Sequence, residues 1–252
     1  MTRPDRSNRS LLAALLAAAT AAAPAAAAQC PSVPEPQIPA IATPLNLDTV
    51  KDALRDYHDT RYMQDIAAVF EVAQSYVEKR AGEVKNPAVV LDIDETSLTN
   101  WPNLKADDFG FISDGRCDDL PKGPCGFNAW ILLSSAPPIP PALKFFNAAK
   151  AKGIAIVFIT GRRDAQRQAT LWNLDQAGYE GYATLITRPD NDESKTVEEY
   201  KTKARAKVEA DRNYTIIASI GDQLSDIEQQ PGINGGRPEC GFKVPNPFYF
   251  IK

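Results

Sequence analysis

Four short stretches of the chain hold residues able to do chemistry. Asp92-Ile-Asp94-Glu-Thr96 sets two carboxylates two residues apart, and Gly221-Asp222-Gln-Leu-Ser-Asp226 adds two more acids. Thr160-Gly161-Arg162 offers a hydroxyl and an unencumbered amide beside a guanidinium, and Tyr200-Lys201-Thr202 supplies an ammonium. Carboxylates serve as nucleophiles, as proton donors and as ligands for oxygen-seeking cations. Lysine, hydroxyl and amide donors together bind an anion. The single histidine, His58, stands among Arg55, Asp56 and Asp59 and reads as a satisfied residue on a solvated helix face. No second histidine exists for an H-E-x-x-H zinc site, and G-x-S-x-G, G-x-G-x-x-G and G-x-x-x-x-G-K are all missing. If the chain is an enzyme, its carboxylates carry the reaction.

The elements that must position these residues alternate. Apolar residues recur at helical spacing between Asp48 and Ala81, and Gly82 ends the run. Ala88 to Asp94 is a short β-branched stretch suited to a buried parallel strand. Residues 95–140 lack a regular period, hold Trp101, Phe109, Phe111, Phe127 and Trp130, and read as an insertion over the site. Those aromatics are expected to pack rather than to stack on a base. Next come a helix from Pro141 to Lys152, a strand from Ile154 to Thr160 and a helix from Asp164 to Ala177. A strand from Tyr182 to Thr187, a helix from Thr196 to Asp211 and a strand from Tyr214 to Ile220 complete the pattern. This predicts an α/β fold, a Rossmann-like parallel sheet with helices on both faces, preceded by a helical segment. Ligands in such sheets sit outside the carboxyl ends of the strands, where three of the four stretches fall. An acidic strand end alone often only caps the next helix; the order and placement of all four give them force.

The chain has 252 residues and a net charge of −4, and its basic residues form no long run, so nucleic acid is not an expected partner. Arg3, Arg6 and Arg9 precede an alanine- and leucine-rich run that ends at Ala26 to Ala28. That is the pattern of a cleaved signal peptide over 1–28, and it predicts a secreted or periplasmic protein with no stable membrane association. Residues 29–47 are proline-rich and read as an extended lead-in. Cys30, Cys117, Cys125 and Cys240 all follow the cleavage point, where disulfides are the default. Three pairings are possible; the favoured one joins Cys117 to Cys125 and Cys30 to Cys240.

In order and position, the four stretches resemble the haloacid dehalogenase-like superfamily, with D-x-D-E-T, then T-G-R, then lysine, then G-D-x-x-x-D. The resemblance runs from about residue 48 to the end. It is nearest to the branch of secreted acid phosphatases and plant vegetative storage proteins, with class B acid phosphatase character. Tyr200-Lys-Thr202, Ile220-Gly-Asp-Gln-Leu-Ser-Asp226 and Phe242-Lys-Val-Pro-Asn-Pro247 carry it. It implies one phosphatase domain over 48–252, a small phosphomonoester as substrate, and an aspartyl-phosphate formed on Asp92. Asp94 would protonate the leaving oxygen and then activate water. Mg2+ would be held by Asp92, Asp222 and the main chain of Asp94, with Asp226 in support. Lys201 (rather than the nearby Lys195 or Lys203), Thr160 and Gly161 would bind the phosphoryl group. The alternative is a non-catalytic storage or binding protein on the same fold, against which the intact Asp92 and Asp94 speak.

Overall fold

The structure is a computed structural model that describes residues 29–38 and 46–251. The expected signal peptide lies outside these residues, as does the middle of the lead-in. The first helical stretch is capped by Asn46, whose side chain accepts from the amides of Asp48 and Thr49. It runs as α1 (Leu47–Tyr57), a widened π-type turn (His58–Tyr62) and α2 (Met63–Ala81). Residues five apart on an α-helix point about 140° away from each other; the wide turn brings Tyr57 and Tyr62 both into the interior, each fully buried.

β1 (Pro87–Leu91) follows, then two short helices in the insertion, α3 (Trp101–Ala106) and α4 (Phe127–Leu132). After these come α5 (Pro140–Ala151), β2 (Ala155–Arg163), α6 (Arg167–Gln176), β3 (Thr184–Arg188) and α7 (Val197–Arg212). β4 (Thr215–Gly221), α8 (Leu224–Ile227) and β5 (Cys240–Lys243) complete the order. The five strands are all parallel, in the order β3-β2-β1-β4-β5. The expected α/β architecture is therefore present, with β5 as an addition.

Strand side chains alternate between two cores. Val89, Leu91, Ile156 and Phe158 pack with Phe70 of α2, Phe145 and Phe146 of α5 and Leu174 of α6. Val90, Val157 and Ile159 pack on the other face with Tyr200, Ala204 and Val208 of α7. α5 and α6 thus lie on one side and α7 on the other, and the direction of winding reverses between β1 and β4. At such a reversal the connections diverge and leave a crevice at the carboxyl ends of the two strands.

Cys117 pairs with Cys125, and Cys30 with Cys240. The second bond ties the lead-in to β5. Beside it Arg80 of α2 grips both oxygens of Glu239, at 2.7 and 2.9 Å.

Candidate active site

β1 ends at Leu91, before both aspartates, although the amide of Asp92 still donates to the Ile220 carbonyl of β4 at 3.0 Å. The chain then coils: the amides of Thr96, Ser97 and Leu98 all turn back to the carbonyl of Ile93, and Glu95 takes a left-handed conformation. The strand expected to run to Asp94 therefore stops at Leu91, and both aspartates lie in the coil that follows it. The two side chains meet different cations.

Asp92 just after β1, Asp222 just after β4 and Asp226 in α8 gather their carboxylates so that one oxygen of each lies within 4.8 Å of the others. All three are buried. Lys201 reaches in from α7, with its Nζ 2.6 Å from Asp92 Oδ1 and also bonded to Asp226 Oδ1. Lys195 and Lys203 are exposed, and Lys203 pairs with Glu199 on the helix surface. Gly221 permits the arrangement, since a Cβ there would stand 2.2 Å from the Asp226 side chain. Arg205 fastens the segment that carries Asp226 by donating to the carbonyls of Ser225 and Asp226.

One ammonium does not balance three carboxylates. Each like-charge pair at 4 Å costs about 4 kcal/mol at an effective dielectric of 20. Burial first, and then the neighbouring charge of Asp226, push Asp92 well above the usual carboxylate range and Asp222 up to about 6. Burial acts to lower Lys201, but the carboxylates of Asp226 and Asp92 outweigh it and hold the ammonium above its ordinary value. The surplus negative charge and the all-oxygen donors suit a hard divalent cation. Asp226 is bonded on both oxygens, to Lys201 and to the Gln223 amide. Asp222 Oδ2 accepts from Gln223 Nε2 at 2.5 Å and from Asn246 Nδ2 at 2.7 Å. Asp92 Oδ2 and Asp222 Oδ1 are left facing only the Thr96 hydroxyl, at 3.4 and 3.5 Å, and are the oxygens best placed to take an ion.

Asp94 sits in a second polar group. Arg162 holds it in a fork, with Nε 3.1 Å from both carboxylate oxygens and Nη2 2.7 Å from Oδ1. The Arg162 side chain is 1% exposed, so this is no surface ion pair. Burial acts to raise Asp94, but the charge and hydrogen bonds of Arg162 hold it below the usual range. Asn100, from the insertion, donates to Asp94 at 2.9 Å and to Glu95 at 2.9 Å, and accepts from Trp130 Nε1 at 2.7 Å. Thr160 and Gly161 lie where β2 passes the crevice. The Thr160 hydroxyl accepts from the Arg162 amide at 3.1 Å, and Gly161 faces open space, with no atom within 4 Å of where a Cβ would stand.

Besides Asn100, three partners of this site escaped the sequence reading. Glu95 is fully buried and pushed up to about 8, first by burial. Tyr249 donates to it at 2.6 Å, and Asn246, as described, donates to Asp222. The only sequence signals were Glu95 inside D-x-D-E-T and Asn246 between two prolines. His58 differs from expectation too: it is half-buried, stacked on Trp101 at 3.6 Å in a wall with Tyr62, Phe109 and Phe248. Its solvated neighbours in sequence hid a packed inner edge.

Residues 18–252 match the family described as HAD superfamily, subfamily IIIB (Acid phosphatase). Stem 28 kDa glycoprotein of Glycine max is 31% identical over 204 residues, which cover 80% of this chain and 74% of that protein. Acid phosphatase 1 of Solanum lycopersicum is 28% identical over 191 residues, covering 75% and 69%. The structure of the class C acid phosphatase from Bacillus anthracis shares the fold, with a TM-score of 0.61 at 22% identity, covering 81% of this chain and 86% of that one.

Proposed function

Because the chain belongs to subfamily IIIB of the HAD superfamily, the acid phosphatases, and is thereby a phosphoric monoester hydrolase, we propose that it is an exported, Mg2+-dependent enzyme working through an aspartyl-phosphate on Asp92. The observation that carries this reading is the buried set of Asp92, Asp222 and Asp226 around Lys201 at the winding reversal. Two disulfides and the arginine-led alanine run support export. Among the described residues no helix is long and apolar enough to cross a membrane.

In this mechanism a carboxylate oxygen of Asp92 attacks phosphorus while the bond to the leaving alcohol breaks. Asp94, held ionised by Arg162 in the free site, takes up a proton as the negatively charged ester binds beside it and passes that proton to the alcohol's oxygen. Water then attacks phosphorus, Asp94 takes its proton, and the bond to Asp92 breaks to release phosphate. The Lys201 ammonium and the donors at Thr160 and Gly161 hold the phosphoryl oxygens. Bound Mg2+, held by Asp92 and Asp222, supplies charge neutralisation between the carboxylate and the phosphate. The Arg162 fork and the Asn100 amide fix Asp94 in position between these steps.

Purified protein is expected to release phosphate from generic monoesters, to stop on exhaustive chelation and to recover with Mg2+. Activity that survives chelation would sink the metal reading, and a protein silent on every ester would point to storage or binding. The metal is also expected to show itself in stability. Asp222, raised in the folded state, carries a proton below about pH 6 that it must give up to bind an ion. The gap between unfolding temperatures with and without Mg2+ should therefore be small near pH 4 and widen towards pH 7; a gap independent of pH would contradict the ligand set.

Asp94→Asn separates the two motif aspartates. A general acid contributes about 10²–10⁴-fold, and contributes most where the leaving group is most basic. The variant is expected to slow intermediate formation from an alkyl phosphate far more than from nitrophenyl phosphate, as read in pre-steady-state bursts. Equal slowing for both substrates would strip Asp94 of the acid role.

A further inference from the structure

Tyr62 closes the wide turn between α1 and α2 and is fully buried. Among the described residues its hydroxyl is the one buried side-chain polar atom with no hydrogen-bond partner. Leaving such a group unpaired costs about 1–3 kcal/mol, and phenylalanine would fill the same space without that cost. The hydroxyl does not serve packing.

The Tyr62 ring packs against the segment that reaches the site. The ring stands edge-on to Phe248, with centroids 5.1 Å apart, and to Tyr57 at 5.9 Å. Phe248 lies between Asn246, which donates to Asp222, and Tyr249, which donates to Glu95. The segment that seats the Tyr62 ring therefore also carries the bonds to those two carboxylates. Burial, and after it the charges of Glu95 and Asp222, push the phenol far above its usual pKa, so it remains neutral, able both to accept and to donate. An Mg2+ ion keeps several of its waters when a protein binds it, and those waters need partners too.

We infer that Tyr62 is a positioning residue for the cation: its hydroxyl oxygen accepts from a water in the hydration shell of an ion held at Asp222. This rests on the proposal that Asp92 and Asp222 hold a divalent ion. Groups in the second layer around a metal typically contribute 10–100-fold to its affinity. None of the four motif stretches contains Tyr62, which comes instead from the helical segment that precedes the sheet.

The test is the unfolding temperature of the whole protein, without substrate, across a series of MgCl2 concentrations. The parent chain is expected to be stabilised by Mg2+; no stabilisation at all would overturn the metal reading itself, apart from any role of Tyr62. Tyr62→Phe is expected to need about 10- to 100-fold more Mg2+ for half of the rise. Tyr57→Phe, which loses a hydrogen bond to Asp65 and none to Asp92, Asp222 or Asp226, is the control and should keep the parent's Mg2+ requirement. An unchanged requirement in Tyr62→Phe refutes the inference, whichever way its metal-free unfolding temperature moves. A rise in that temperature would then mark a hydroxyl without a task, and a fall would mark a structural water unrelated to the ion.

Discussion

Asp92→Asn is expected to cut kcat by on the order of 10⁴–10⁶-fold and yet leave the metal-free protein as stable as the parent, or more so. Loss of activity follows because an amide is a poor nucleophile towards phosphorus and forms no acyl phosphate. The stability half follows from the crowding of charge. Asp92, Asp222 and Asp226 share one lysine, and Asp92 is held well above its ordinary pKa by burial and by Asp226. A carboxylate with a raised pKa destabilises the fold at any pH where it must be ionised. Asparagine fills the same volume and removes one of the repelling charges, while Lys201 keeps its bond to Asp226. Urea unfolding after chelation reads the one effect, and phosphate release with Mg2+ reads the other. Retained turnover would dismiss Asp92 as nucleophile; a clear loss of metal-free stability would dismiss the account of surplus charge.

Lys201→Met should do the opposite to stability. It leaves three buried carboxylates without their cation, and breaking a buried pair in this way costs about 3–5 kcal/mol. The cost is expected near neutral pH in the chelated protein and should shrink as pH falls and the carboxylates take up protons. Mg2+ should restore part of the stability, since a cation again faces the acids, without restoring turnover, since no ammonium binds the phosphoryl group. Lys203→Met and Lys195→Met are the comparison. Both residues are exposed, and the Lys203–Glu199 pair at one helical turn contributes about 0.3–0.5 kcal/mol. Equal losses in Lys201→Met and Lys203→Met would show that the site does not depend on Lys201.

The central strands were legible because parallel strands buried on both faces read as unbroken apolar runs. Ala88-Val-Val-Leu91 and Ile216-Ile-Ala-Ser-Ile220 have no other use. β5 was not, since Cys-Gly-Phe-Lys has only alternate residues buried and gives no run to recognise. α3 and α4, six residues each, end before a helical period can repeat. The wide turn at His58–Tyr62 also left no mark, because periodic apolar residues resume from Met63 as if the helix were regular. Within the site, the motif acids and Lys201 stood out through the resemblance of the four stretches to the superfamily, and the fold brings Asp92, Asp222, Asp226 and Lys201 together. Asn100, Asn246, Tyr249 and Tyr62 did not stand out, because each matters through a contact with a residue that no local pattern connects to it. Arg162 was visible as a charge but not as a buried one; only the fold shows that Asp94 lies against it.

The short segment after β5 that brings Asn246 to Asp222 and Tyr249 to Glu95 bears on how the protein is made. Translation delivers Glu95 154 residues before Tyr249, its hydrogen-bond partner. Until that segment is in place, the acids beyond the ends of β1 and β4 lack two of the donors that orient them, and Tyr62 lacks the ring of Phe248 beside it.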